Sequence, residues 1–336
     1  VASIAANSYS ETLNDLFNTA RTDFSTKFVE SWSTTPSVYR DLYKRASKKT
    51  ENPTGRRYEW PVELGTPSGV QRRAFDTAPA LAGQTPNILV TASEDIATYE
   101  YLMEMTDDRM KLVKSPQVLV NTVEALTKNF GKKMLDDINR DFLATSTATN
   151  GVVSVIAVLP ATPTSGTIHN LSRTTYSNWQ SGTTTTGGAF SAVGYNQMRA
   201  RYLAQSRGQG DDEPDLILSD DEIFNAWWQL NDSRDNFWLD ESEDGKTTRR
   251  AMKFLNAKWV WDHNYPNATT LRMINSSHIE MKVIGETGKD EDKMGVSFGE
   301  WIHAVNASKS ACIVKWQGQA CWKAFRYSGQ ISGLTA

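Results

Sequence analysis

Four histidines, two cysteines and three runs of acidic residues are the groups in this 336-residue chain whose types suit chemistry. His169, His263, His278 and His303 would serve as metal ligands or bases if they were suitably paired. None stands at a zinc-ligand spacing and none belongs to an HExxH pattern, so they read as surface or loop histidines. Cys312 and Cys321 lie nine positions apart, across an expected strand turn, and a reduced core pair is the expectation. The runs Asp211-Asp212-Glu213, Asp220-Asp221-Glu222 and Asp290-Glu291-Asp292 sit in turn-like sequence and read as solvated faces. A hard cation would need a defined oxygen geometry that these runs do not specify. There is no GxGxxG before a helix, no Walker loop and no GxSxG elbow. The Ser in GVSFG (295–299) does not lie on a strand–turn–helix. No catalytic residue, no metal site and no cofactor is expected, and the chain does not read as an enzyme.

The elements around these groups carry more information. The stretch 115–144, SPQVLVNTVEALTKNFGKKMLDDINRDFLA, is the longest periodic segment. Ser115 and Pro116 form a helix start, a capping hydroxyl followed by a residue with no N–H to leave unpaired. Leu119, Val123, Leu126, Phe130, Met134, Ile138 and Phe142 then recur every three or four positions, one apolar stripe on a helix roughly 40 Å long. These seven are the expected helix core. Glu124, four before Lys128, supports the exposed face, and Gly131 weakens the helix by up to about 1 kcal/mol.

Upstream, residues 1–55 read as an arm. Tyr9, Phe17, Phe24 and Phe28 are aromatic but close no pattern of their own, so they are expected to pack on something else. Arg40 to Arg57 is the most basic run; a solvated face or a protein contact is favoured over nucleic acid. RYEWPVEL (57–64) alternates and reads as an edge strand, because Pro61 cannot donate to a ladder. Residues 87–101 read as its returning partner. The linking segment holds Arg72, Arg73 and Phe75 and is too long for a tight turn. Residues 56–98 are thus expected to form a long hairpin, only marginally stable without a partner surface.

After the helix, 151–159 reads as a strand, 192–205 and 220–230 as helices, and 215–219, 253–261, 270–274 and 279–284 as strands. Two or three strands are expected in 311–331. The mix is α+β, without βαβ alternation or internal repeats. The formal net charge of −3 gives no case for a dedicated nucleic-acid binder. No segment is apolar for long enough to span a membrane, and the first residues lack the basic and apolar regions of a signal peptide. Val1 in first place suggests removal or processing of an initiator Met. With 11 Trp, 12 Phe and 11 Tyr, and with arm and hairpin both wanting partners, a subunit of a large assembly is expected.

The order of elements resembles the major capsid proteins of tailed double-stranded DNA phages, the coat fold named after coliphage Hong Kong 97. The local segments NLSRTTYSNWQSG (170–182), PDLILSDDEIFNAW (214–227) and KFLNAKWVWDHNYPNATTLRMINSSHIEMK (253–282) are similar to segments in one branch of those proteins. The resemblance implies an N-terminal arm (1–55), an extended hairpin loop (56–98), a spine helix (115–144) within a peripheral domain (99–190 and 296–336), and an axial domain (191–295). It also implies self-assembly as hexamers and pentamers into an icosahedral shell around DNA held without sequence specificity. Portal, scaffolding or cement proteins would be its partners, and it would stand in the virion capsid after assembly in the host cytoplasm. Tyr9, Phe17, Phe24, Phe28, Arg72, Arg73 and Phe75 are then subunit-interface candidates. The type member of that fold joins its subunits through a loop Lys. Here no Lys occurs between Lys49 and Lys111, so a noncovalent shell is expected. An encapsulin-type cargo shell and a glycan-binding tail or baseplate adhesin are the alternatives, distinguished by co-purified enzyme cargo and by small saccharide-binding oligomers respectively.

Overall fold

The computed structural model describes residues 38–50, 55–65, 75, 89–106, 116–206, 212–232, 239–240, 251–262, 264–284, 296–303 and 308–336. Tyr9, Phe17, Phe24, Phe28, Arg72 and Arg73 lie outside the described residues. Leu119 and Leu126 fall within a helix whose side chains are not described at those positions.

The first of two large sheets is built on one strand of 14 residues, Lys309–Trp322. Along one edge it pairs antiparallel with Ala97–Thr106, from Lys309 opposite Thr106 to Gly318 opposite Ala97. Along the other edge it meets Ile302–His303, Val296–Phe298 and Ile279–Ile284 in succession. Ser47–Thr50 then adds in parallel to Ile279–Ile284. The two strands expected in 311–331 are therefore one continuous strand through residue 322. Gly318 lies where the strand turn was expected, but its role is close approach: a Cβ there would stand 2.7 Å from the carbonyl oxygen of Lys282. Cys312 and Cys321 consequently lie on the same strand, about 30 Å apart at 3.3 Å per residue. Both are free and buried.

The long helix, Pro116–Phe142, lies against the inner face of this sheet. The strand under it is Ala97–Thr106, where the C-terminal strands had been expected. Tyr99 donates its hydroxyl to Asp141 Oδ2 at 2.8 Å, and Tyr101 donates to Asp137. Burial raises the pKa of both phenols, that of Tyr101 to about 12. Of the expected stripe, Val123, Met134, Ile138 and Phe142 are buried, while Phe130 is half-buried at the edge with its ring against Tyr101. A polar residue that no periodicity marks, Asn139, is also buried. Its Oδ1 accepts from the Tyr39 amide at 3.1 Å and its Nδ2 donates to Asp262 Oδ2 at 3.0 Å. It thereby ties the long helix to the short helix Val38–Arg45, whose Tyr39 ring meets Phe142 and Trp316 edge-on.

The second sheet has seven strands in the order 239–240, 251–254, 257–261, 216–219, 271–274, 329–331, 182–184. The helices Tyr195–Gln205 and Asp221–Asp232 pack on it over Phe190, Met198, Ile217, Ile223, Trp227 and Trp259. A π-helical turn, Phe190–Gly194, leads into the first of them, so that helix starts three residues later than expected. The expected single strand 253–261 is a tight hairpin. Leu255 adopts φ 54°, and Phe254 pairs with Ala257 across a two-residue turn. The expected strand 151–159 is instead a short helix, Val155–Val158. Ser154 caps it, accepting from the amides of Ile156 at 3.1 Å and Ala157 at 3.4 Å. A run that is apolar on every face has no period by which helix and strand could be told apart.

Sheet pairing also divides the chain differently from the expected boundaries. Ile279–Ile284, placed with 191–295 in the sequence reading, belongs to the first sheet. Gly329–Ile331, placed with the closing C-terminal segment, belongs to the second, with Ile331 opposite Leu271. The chain therefore crosses between sheets three times, between Thr106 and Gly182, through the 3-10 turn Ser276–His278 and through the bend around buried Phe325.

The hairpin forms from Arg57–Glu63 and Leu89–Asp95, which among the described residues form a ladder only with each other. The return strand does not run unbroken to residue 101. It breaks at Ile96, and the chain enters the first sheet at Ala97.

Candidate functional site

Among the described residues, no group of three or more His, Cys, Asp or Glu side chains could hold a metal ion. The histidines are not gathered into one site. His278 stacks on Tyr327 with centroids 4.4 Å apart, and its Nε2 lies 3.6 Å from Asp212. His263 lies outside the described residues. His169 is a correction to the surface reading, since its side chain is fully buried. Among the described residues, no helix is long and apolar enough to cross a membrane.

Part of the basic run beyond residue 39 is paired within the chain. Arg45 reaches Asp215 at 3.3 Å and Arg57 reaches Asp95 at 2.6 Å, while Asp41 within the run takes Lys258 at 3.1 Å. Salt bridges of this kind neutralise a face that nucleic acid would need free.

What the geometry does present is a pair of apolar features, one covered and one bare. The covered one is the root of the hairpin. Tyr58, Trp60 and Val62 alternate with exposed residues along the first strand, and all three are buried. Trp60 donates its indole N–H to the Trp322 carbonyl at 3.0 Å, and Asn178 donates to Leu64 O at 3.0 Å. The Lys282 ammonium sits 5.5 Å from the Tyr58 ring centroid and 6.0 Å from that of Trp60. So the hairpin root has its partner surface on its own chain. This cover explains why Lys282, a charged residue of an alternating strand, is buried. Farther out, Leu89 is exposed and Phe75 is fully so, at 103%.

The bare feature is the outer face of the first sheet. Leu102 and Ile313 stand directly opposite each other across the ladder, and Ile302 stands opposite Ala311. Leu102 is 53% exposed, Ile313 49% and Ile302 68%. Ion pairs flank them, Lys315 to Glu100 at 2.9 Å and Lys309 to Glu104 at 2.6 Å. An apolar cluster rimmed by charge marks contact with another molecule more often than solvent.

No family model matches the sequence, and no curated protein does. Solved structures do match. The capsid asymmetric unit of cyanophage A-1(L) superposes with a TM-score of 0.61 at 15% identity, covering 89% of this chain and 92% of that one. The fold is the Hong Kong 97-type coat fold. The capsid of an empty GTA particle matches with a TM-score of 0.60 at 11% identity, over 90% of this chain and 92% of that one. The holo-SrpI encapsulin complex of Synechococcus elongatus PCC 7942 matches with a TM-score of 0.56 at 9% identity, over 90% of this chain and 88% of that one. Pro116–Phe142 and the hairpin from Arg57 stand where the sequence resemblance expected the spine helix and the extended loop, and they take those names.

Proposed function

We propose that this chain is a major capsid protein that assembles as hexamers and pentamers into an icosahedral shell around double-stranded DNA, in the virion capsid. The observation that carries the reading is the coat fold over about nine-tenths of the chain, combined with apolar surface left bare at the hairpin and on the outer sheet. Phe75 and Leu89 of the extended loop, with Arg72 and Arg73 beside them and Tyr9, Phe17, Phe24 and Phe28 of the arm, are the proposed contacts to neighbouring copies. The proposed peripheral domain is the first sheet with the spine helix, and the proposed axial domain is the second sheet with its two helices. Ile279–Ile284 thus goes to the peripheral domain and Gly329–Ile331 to the axial one.

The shell's mechanism is additive burial, in which each subunit lends a loop and an arm to neighbours and modest contacts sum over many copies. A formal charge of −3 suits a wall that must enclose DNA without trapping it. Portal, scaffolding and cement proteins are the proposed further partners. Sedimentation of the expressed chain tests the assembly reading: material far larger than the 37.5 kDa subunit supports it, and a stable monomer at high concentration opposes it. The match to an encapsulin favours one second reading, a protein-cargo shell. Particles filled with a co-purifying enzyme and free of DNA would replace the first reading by the second.

A further inference from the structure

The tight turn between Thr167–Ile168 and Leu171–Ser172 has an unusual occupant. These two short strands pair antiparallel around His169 and Asn170, which adopt φ 49° and 60°. Two successive left-handed residues fit a two-residue hairpin turn, where Asn and Gly are the easy choices and His a costlier one. The strained turn delivers three bonds to the return strand of the extended loop. The Ser93 amide donates to the His169 carbonyl at 3.1 Å. Asn170 Nδ2 donates to Ser93 Oγ at 2.8 Å. The His169 ring donates from Nδ1 to Glu94 Oε2 at 2.9 Å. Among the described residues the strand Leu89–Asp95 forms a ladder with Arg57–Glu63 alone, and this turn adds a second hold on it beside the bond from Gln319 Nε2 to the Asp95 carbonyl at 2.8 Å.

Two of these bonds are indifferent to pH over the physiological range, and the third is not. The imidazole is wholly buried among aromatic rings. Trp60 lies 5.0 Å away edge-on, Trp179 6.3 Å, and Phe325 stacks at 6.1 Å. Nε2 has no hydrogen-bond partner among the described residues. A second ring proton would therefore be a buried donor without an acceptor. Two charged groups act on the ring. Glu94, on the hairpin, favours the imidazolium, and Arg173, four residues further along the ring's own segment, opposes it. Lys282 stands beyond, 6.0 Å from the Trp60 ring centroid. Burial outweighs the attraction of Glu94 and holds the His169 pKa below its ordinary value.

We propose that the His169–Glu94 contact is a proton-sensitive clamp on the extended loop: the neutral imidazole holds the return strand Leu89–Asp95, and protonation weakens that hold, so that acid loosens this strand while the buried first strand stays in place. The sign follows from the closed state binding the proton more weakly than the open one. The clamp is at full strength above the ordinary histidine range and weakens as pH falls through and below that range. The proposal goes beyond the shell reading and does not depend on it, because the bonds lie within one subunit.

Hydrogen exchange of the full chain, read as protection factors at pH 7.5 and pH 5.0, tests it. The segment 89–95 is expected to lose protection at pH 5.0 relative to pH 7.5, the direction that a depressed His169 pKa dictates. The strand 271–274 of the second sheet is expected to stay protected. His169→Gln, whose amide can donate to Glu94 without titrating, is expected to abolish the acid response. Asn170→Gly, which keeps the left-handed turn and the imidazole, is expected to retain it. An unchanged wild-type segment 89–95 overturns the proposal, and so does an equal loss in His169→Gln. If that variant does not fold, the ¹⁵N shifts of the His169 ring in the wild type decide: titration below about 6.5 supports the clamp, and titration at or above that value overturns it.

Discussion

Truncating Ile138 to Ala separates the fold's core from its bare surface. Ile138 is fully buried on the spine helix, inside the cluster that joins helix, first sheet and hairpin root. The change removes three carbons, worth about 2.4 kcal/mol at roughly 0.8 kcal/mol each. A residual cavity term brings the total to about 3–4 kcal/mol, within the usual range for such truncations. For a chain of this size that corresponds to a fall of about 4–6 °C in Tm. Phe75 is fully exposed, and Phe75→Asp is expected to change subunit stability by less than about 0.5 kcal/mol. It is expected instead to reduce the yield of assembled particles. Thermal unfolding of dissociated subunits, followed by circular dichroism, measures the first effect, and sedimentation of assembly reactions measures the second. A Tm loss under 2 °C for Ile138→Ala would refute the core assignment. Equal loss of soluble subunit in Ile138→Asp and Phe75→Asp would refute the division between core and surface. Phe130→Ala belongs between the two, because Phe130 is only half-buried against Tyr101.

Gly318→Val is expected to leave little soluble subunit on expression, because the new Cβ would press on the Lys282 carbonyl and the Trp316 ring. Asn139→Ala removes the partner of the Tyr39 amide and of Asp262, and urea unfolding is expected to show a loss of about 2–3 kcal/mol. Leu102→Glu is expected to keep the wild-type Tm within about 2 °C, since the side chain stands on the bare outer face. Denaturing electrophoresis of intact particles is expected to show a single monomer band, because the extended loop contains no Lys.

The spine helix was legible because its stripe repeats at a helical period and four of its members are buried, Val123, Met134, Ile138 and Phe142. Strand alternation likewise announced Tyr58, Trp60 and Val62 as one face of the hairpin. Local pattern failed where the deciding contact lies far along the chain. Gly318 lies where a strand turn is expected until the Lys282 carbonyl is placed beside it. The charges of IEMKVI (279–284) suggest a half-exposed strand until Tyr58 and Trp60 of the hairpin cover Lys282 and Lys323 pairs with Glu280. Asn139 carries no signal at all, because its partners Tyr39 and Asp262 are 100 and 123 residues away. His169 read as a loop histidine, and it is in a loop. Only the packing of Trp60, Trp179 and Phe325 around it makes it a buried contact to the extended loop.

Electron microscopy of the purified, expressed chain tests the central claim most directly. Closed shells, or rings of six and five subunits, are the predicted result. A field of dispersed single subunits at assembly concentrations would contradict it.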